Sequence, residues 1–284
     1  VLPGITWKKL MGLYRVRAGD GVVWITGASA GIGKALALQM ARQGYEVVAT
    51  ARSADKLEAL AAESAGMAGT IHARPCDVTD RDAMAEAVAD IEATHGPIRL
   101  AVFNAGNYWP ASGARLEIDN FAKTYEINLF GVLNGLVPVV ERMKDHGRGQ
   151  LVLVASVSGY SGLPAASAYG ASKAAINNMA ESLKFDFDLM NIRIQVVNPG
   201  FIDTPLTEKN DFEMPALMPV DKAVEQMIKG IEGGGFEITF PRRFTYLLKL
   251  LRMLPHPVYF ALMKRATGWD RKNLKTGKAP DEAG

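Results

Sequence analysis

Cysteine is nearly absent from this sequence: Cys76 is the only one in 284 residues. A single cysteine excludes an intramolecular disulfide and offers no metal-binding spacing, so a reducing, cytoplasmic compartment is the expectation. Cys76 itself reads as a small buried hydrophobe. Histidine is scarce as well. His72, His95, His146 and His256 are scattered without ligand spacing, so none is expected to bind metal or to act in catalysis. No run of about 18 apolar residues occurs, which argues against a spanning helix. Neither charge sign dominates: 32 Lys and Arg face 30 Asp and Glu, and a net charge of +2 argues for no bulk nucleic-acid role. No fixed-period repeat or low-complexity stretch is visible. Residues 1–19 show no secretory apolar region and no initiator methionine, although Met11 offers a start. They are read as an N-terminal segment that need not be native, with no function assigned.

What is present is a hydrophobic fraction of 48%, enough for a well-buried core in one domain. The charge is unevenly placed. Residues 241–278 hold ten Lys and Arg against the single acid Asp270, a local charge of +9 on a body whose residues 1–240 sum to −5. A basic, apolar C-terminal helical extension over 241–284 is therefore set apart from a domain over 20–240.

Strand-like and helix-like segments alternate along that domain. Strands are expected at Gly21–Thr26, Glu46–Ala51, Thr70–Pro75, Arg99–Phe103, Gln150–Ala155, Ile192–Val197 and Phe236–Phe240. Helices are expected over 33–43, 53–65, 81–94, 118–144 and 168–190, the fourth made irregular by Gly131 and Pro138. This rhythm predicts βαβ units and a doubly wound parallel sheet flanked by helices. The rhythm breaks at 106–117, at 201–222 and after Pro241. In such folds ligands sit beyond the carboxyl ends of the strands, so the first two breaks are candidates for the substrate rim.

Thr26-Gly27-Ala28-Ser29-Ala30-Gly31-Ile32-Gly33 joins the first strand to the first helix. Gly27 suits a tight turn, Gly31 a close approach to pyrophosphate, and Gly33 close helix–strand packing. Ser29 adds a hydroxyl. The glycine spacing differs from the usual dinucleotide fingerprint, so the context carries the reading. The second strand ends at Ala51-Arg52, where an acid would favour NAD. Arg52 suits the 2′-phosphate of NADP instead.

Tyr169 and Lys173 lie four apart and share one helix face. A free tyrosine, with a pKa of about 10, is a poor acid or base at neutral pH. A neighbouring ammonium is expected to pull that pKa down. Ser156, on another segment, can hold a carbonyl oxygen beside the phenol. Ser158 and Ser161 are neighbours, so the choice of Ser156 rests on its spacing to Tyr169.

Together these residues resemble the short-chain dehydrogenase/reductase family over about 21–240. The resemblance rests on Thr26–Gly33, Asp77-Val78, Asn104-Ala105-Gly106, Asn128, Ser156, Tyr169-x-x-x-Lys173 and Asn198-Pro199-Gly200 followed by Thr204. It implies a Rossmann-like fold and an NADP-dependent oxidoreductase interconverting carbonyls and alcohols. It also implies roles. Asp77 and Val78 would border the adenine; Asn104, Ala105 and Gly106 would line the cofactor. Asn128 would kink its helix and relay protons to Lys173. Ser156 would hold the substrate oxygen, Tyr169 would be the acid/base, and Lys173 would bind the nicotinamide ribose. Pro199, Gly200, Ile202 and Thr204 would hold the nicotinamide. Phe103 departs from an asparagine often seen before Asn104. A homodimer or homotetramer is the family's expectation. A non-catalytic NADP-binding regulator is the alternative, and retention of Ser156, Tyr169 and Lys173 argues against it. Enoyl or pterin reduction on the same fold usually respaces the tyrosine and lysine.

The rim residues Tyr108, Trp109, Leu163, Pro164, Leu206, Phe212, Met214, Leu217 and Met218 are mostly apolar, which points to a small lipophilic substrate. They equally suit a lid packed on the core. At the C-terminus, Phe244–Leu254 is apolar nearly all round and Pro255-His256-Pro257 separates it from Val258–Ala266. Two basic-flanked helices fit peripheral contact with an anionic membrane through 241–278. They equally fit a hairpin over the sheet edge or a subunit interface.

Overall fold

A computed structural model describes residues 12–111, 113–208 and 214–269. Seven parallel strands form the main sheet: β1 (Val22–Thr26), β2 (Glu46–Thr50), β3 (Ile71–Ala73), β4 (Ile98–Phe103), β5 (Gly149–Val154), β6 (Ile192–Pro199) and, after a two-stranded pair, β9 (Glu237–Phe240). Their order is β3-β2-β1-β4-β5-β6-β9. The direction of winding reverses between β1 and β4, and the carboxyl ends on either side of that switch frame the cleft. The doubly wound architecture expected from the alternation is the one observed.

Alternation within each strand builds two apolar layers. On one face Val23 and Ile25 pack with Leu36 and Met40 of helix α1 (Gly31–Arg42) and with Leu57 and Leu60 of α2 (Ala54–Glu63). On the other, Val22 and Trp24 pack with Met84 and Val88 of α3 (Arg81–His95). Phe103 joins this second layer, 1% exposed and edge-on to Trp24 at 5.8 Å. Its departure from asparagine is thus a packing choice. A phenylalanine buried this way contributes roughly 1.5–3 kcal/mol.

The expected long helix over 118–144 is divided. α4 (Ile118–Tyr125) passes through a π-helical turn at Glu126–Phe130 into α5 (Gly131–Asp145), which tolerates Pro138 within it. A π-turn inserts a residue into the helix and often marks a functional position; here its central residue is Asn128. α6 (Ser167–Leu189) carries the tyrosine and lysine. α7 (Val220–Gly233) falls in the expected 201–222 break and beyond it. It buries Ala223, Val224, Met227, Ile228 and Ile231, a helical period legible in the sequence. The short pair β7 (Ile202–Asp203) and β8 (Met218–Pro219) lies in the same break. Met218 accordingly packs against the core rather than standing free at the rim. Phe212 lies outside the described residues.

One further expectation is corrected. Cys76 is only half-buried, with its thiol 3.6 Å from the Asp77 carbonyl. Of the N-terminal segment, residues 12–19 are tied into the body. Arg193 donates to the carbonyls of Leu13 (2.8 Å) and Tyr14 (2.9 Å), and the Val16 amide donates to Gln150 Oε1 (3.0 Å). Val16 is 5% exposed. These contacts sit at the amino ends of β5 and β6, away from the cleft.

Candidate active site

The phosphate loop is held open by contacts that admit no side chain. A Cβ on Gly27 would lie 2.6 Å from Ala105 Cα, and one on Gly33 would lie 2.3 Å from the Gly27 carbonyl oxygen. The loop is pinned to neighbouring strands: the Ala28 amide donates to the Thr50 carbonyl at 3.1 Å. Asn104 Nδ2 donates to the carbonyls of Thr26 (3.2 Å) and Gly27 (3.1 Å). The Asn104 side chain therefore shapes the loop, while Ala105 packs against the second apolar layer and Gly106 is exposed. α1 begins at Gly31 after Ala30, with no side-chain cap and no acid in its first turn. Its amides and dipole are thus available to an anion beside Ser29 and Ile32. A glycine cradle that any Cβ would fill, ahead of an uncapped helix N-terminus, fits a dinucleotide pyrophosphate.

Around this loop the structure gathers the other expected residues. Asp77 Oδ1 accepts from the Thr79 amide (3.0 Å) and hydroxyl (2.9 Å), and Val78 is buried beside it. Arg52 is exposed just past the end of β2, without a hydrogen bond or ion pair among the described residues. Pro199 ends β6, and the Gly200 amide donates to Phe240 at 2.8 Å. Ile202 is buried in β7. Thr204 folds back over the phosphate loop, its methyl 3.3 Å from the point where a Gly31 Cβ would stand.

The reacting cluster lies at the ends of β4 and β5. Ser156 starts a short 3₁₀ turn, Val157–Gly159, and accepts the Ser158 amide at 3.2 Å. Of the three neighbouring serines it is Ser156 whose hydroxyl lies beside the Tyr169 phenol and lowers its pKa. Ser161 turns away and donates to Tyr259 at 3.0 Å. Tyr108 stands edge-on to Tyr169, ring centres 5.3 Å apart, and forms one wall of the cleft. Trp109, Leu163, Pro164, Leu206 and Met214 are partly buried around the rim, and Leu217 is exposed. An Ala111–Ala166 bridge closes the rim between the 104–111 loop and α6. Lys173 is 3% exposed and its Nζ donates to the Val154 carbonyl at 2.8 Å. Asn128 is fully buried. It accepts the Asn107 amide (2.8 Å) and donates to the Asn107 carbonyl (2.9 Å) and to Ser172 (3.2 Å). It does not bond Lys173 directly. The point where a Gly106 Cβ would stand is 3.2 Å from Asn128 Oδ1 and 3.4 Å from Lys173 Nζ.

The expected direction of the tyrosine shift is corrected. Burial pushes the Tyr169 phenol up to about 12, with the Ser156 hydrogen bond opposing. Tyr169 keeps some surface contact, but its hydroxyl lies deep among protein atoms. Burial also pulls Lys173 down to about 8. Desolvation thus disfavours the charged form of both groups, the phenolate and the ammonium alike.

The model of the short chain dehydrogenase family matches residues 21–214. The chain belongs to the short-chain dehydrogenase family. This dehydrogenase is 36% identical over 241 residues to an uncharacterized oxidoreductase of Myxococcus xanthus, covering 85% of this chain and 95% of that one. It is 38% identical over 188 residues to a 3-oxoacyl-(acyl-carrier-protein) reductase of Thermotoga maritima, covering 66% and 76%. A 3beta-hydroxysteroid dehydrogenase of Mediterraneibacter gnavus is 31% identical over 208 residues, covering 73% and 75%. A solved short-chain type dehydrogenase/reductase of Mycobacterium marinum superposes with a TM-score of 0.72 at 26% identity, covering 81% of this chain and 96% of that one. The dehydrogenase is therefore an oxidoreductase acting on CH–OH groups with a nicotinamide dinucleotide.

A polar cluster beside the site has no local sequence signal. Glu237 accepts hydrogen bonds from Lys249, Tyr160 and Asn198, the last at 2.9 Å. Burial raises its carboxyl, but those donors outweigh it and hold the group below the usual carboxylate value. Asn198 also donates to Asn177 of α6 at 3.1 Å. The cluster joins the C-terminal helix to the one that carries Tyr169.

Proposed function

We propose that this dehydrogenase is an NADP(H)-dependent oxidoreductase interconverting a carbonyl with a secondary or primary alcohol on a lipophilic substrate. The observation that carries the reading is the meeting of three side chains beyond the carboxyl end of β5: the Ser156 hydroxyl lies beside the Tyr169 phenol, and the Lys173 ammonium lies 5.6 Å from the centre of the Tyr169 ring. The bound nicotinamide would supply or accept the hydride. Gly27, Gly31 and Gly33 would admit its pyrophosphate, and Lys173 would hold the adjoining ribose. Ser156 donates to the substrate oxygen, stabilising charge as it develops there. Tyr169, held neutral by burial, gives its proton to that oxygen in reduction. The gap beside Gly106, bounded by Asn128 and Lys173, fits a proton relay to Lys173 from outside.

Arg52, exposed and uncommitted at the end of β2, supports NADP over NAD. Tyr108, Trp109, Leu163 and Pro164 support an apolar substrate. A homodimer or homotetramer is supported by exposed Ile118, Phe130 and Val137 along the 118–145 segment and Phe185 and Leu189 on α6. Oxidation of NADPH and NADH across aldehydes, ketones, steroids and acyl β-keto compounds tests the reading. Turnover with NADPH and an apolar carbonyl is expected; cofactor binding without turnover on any of them would favour a regulator.

A further inference from the structure

We infer that the outward face of the C-terminal helix pair docks this protein on an anionic lipid surface. The pair comprises α8 (Arg242–Arg252) and α9 (His256–Thr267). α8 is apolar on both sides. Its inner face is spent: Thr245 and Leu248 are buried, and Leu248 packs with Val157 and Tyr160. Phe244 lies 5.9 Å from the Phe201 ring, and Lys249 pairs with Glu237. The helix is therefore firmly seated on the body.

Its outer face should then be polar, yet Tyr246, Leu247, Leu250 and Met253 project from it, Leu250 60% and Met253 81% exposed. α9 also exposes Val258, Phe260 and Leu262. A helix that is apolar on both sides needs cover on both, and an exposed apolar helix face of this kind marks an interaction surface.

Charge selects what covers it. Residues 241–269 carry Arg242, Arg243, Lys249, Arg252, Lys264 and Arg265 and no Asp or Glu. Of these six only Lys249 pairs with a carboxylate among the described residues. In a two-fold contact with a second copy, the same patch would meet itself. The arginines would then face their own mates with no acid of the patch between them. An anionic lipid surface neutralises them and takes the apolar side chains into its interface. No helix among the described residues is long and apolar enough to cross a membrane, so the contact is peripheral. Tyr259 of α9 donates to the Gly162 carbonyl at 2.8 Å, next to the rim residues Leu163 and Pro164. The docked face and the cleft rim are thus neighbours. The inference stands on this surface alone and does not depend on the substrate.

Flotation of the full-length protein tests it, with vesicles of equimolar phosphatidylcholine and phosphatidylglycerol against phosphatidylcholine alone. Co-flotation is expected with the anionic vesicles only, and it should weaken with salt. Leu247→Glu with Leu250→Glu should reduce the bound fraction on the order of tenfold. Arg242→Gln with Arg243→Gln should reduce partitioning about fivefold per charge removed. All four positions are exposed, so unchanged melting temperatures will confirm the fold of each variant. The proposal is overturned if the wild type stays with the unbound fraction, or if both variants float as it does. It is equally overturned if the leucine variant lowers the sedimenting mass while vesicles bind none of the proteins, since the face would then be a subunit contact.

Discussion

Lys173 holds its ammonium 5.6 Å from the centre of the Tyr169 ring and donates instead to the Val154 carbonyl, 2.8 Å away. Burial governs both groups. It lowers the lysine to about 8 and raises the phenol to about 12. At neutral pH the pair is an ammonium beside a neutral phenol, which suits proton delivery to a carbonyl oxygen.

On the proposed reading Tyr169 is the proton donor. Tyr169→Phe should lower turnover by about 10²–10⁴, the usual share of a positioned acid. Cofactor affinity, measured by fluorescence titration with NADPH, should stay within about twofold. Turnover close to that of the wild type would remove Tyr169 from the mechanism.

The lysine should set the alkaline limb. Its value of about 8 lies below the ordinary 10.5, so its charge is lost as pH rises through about 8. The kcat/KM for NADPH, which reports the free enzyme, should fall over that range. Lys173→Arg keeps a positive charge at all accessible pH and should remove the break while lowering the plateau. A break that persists in the arginine variant belongs to another group.

The same burial has a cost in stability. Below about 8 both folded and unfolded chains carry the protonated lysine, and the folded state bears the full desolvation penalty. Between there and 10.5 the folded state binds fewer protons, so stability contributed by this group rises with pH. Lys173→Met should therefore be the more stable protein at pH 7, by up to about 3 kcal/mol. Loss of the donor to Val154 offsets about 1 kcal/mol of that gain. The advantage should shrink as pH rises past 8 and vanish above 10.5. Urea midpoints at a series of pH values read this directly; a constant gap would contradict it.

Arg52 should discriminate cofactors. Arg52→Ala should raise the KM for NADPH on the order of tenfold, the worth of a charge-assisted hydrogen bond, and leave NADH kinetics unchanged. An equal effect on both would place Arg52 outside the 2′-phosphate site.

Much of the fold is legible because its signals are local. Each of the seven main strands lies within two residues of its expected bounds, since short β-branched runs between glycines and polar turns leave little choice. α7 carries an equally clear period at Ala223, Val224, Met227, Ile228 and Ile231, just beyond the 201–222 break, although no helix is among the expectations there. The glycines of 27–33 and the Tyr169–Lys173 spacing point to the cleft for the same local reason. The cluster at Glu237 has no such signature, because Tyr160, Asn198 and Lys249 approach it from 77, 39 and 12 residues away.

The sequence by itself determined the seven strands of the main sheet, the glycine cradle, the one-turn spacing of tyrosine and lysine, and the basic apolar C-terminus. All are properties of neighbours along the chain. Only the tertiary structure set the Ser156 hydroxyl, already singled out over Ser158 and Ser161 by its spacing, beside the phenol. It also decided that burial raises Tyr169 and lowers Lys173, and that α8 spends one apolar face on the body and leaves the other outward. Those outcomes depend on desolvation and on contacts between distant segments, and neither is written in the spacing of residues.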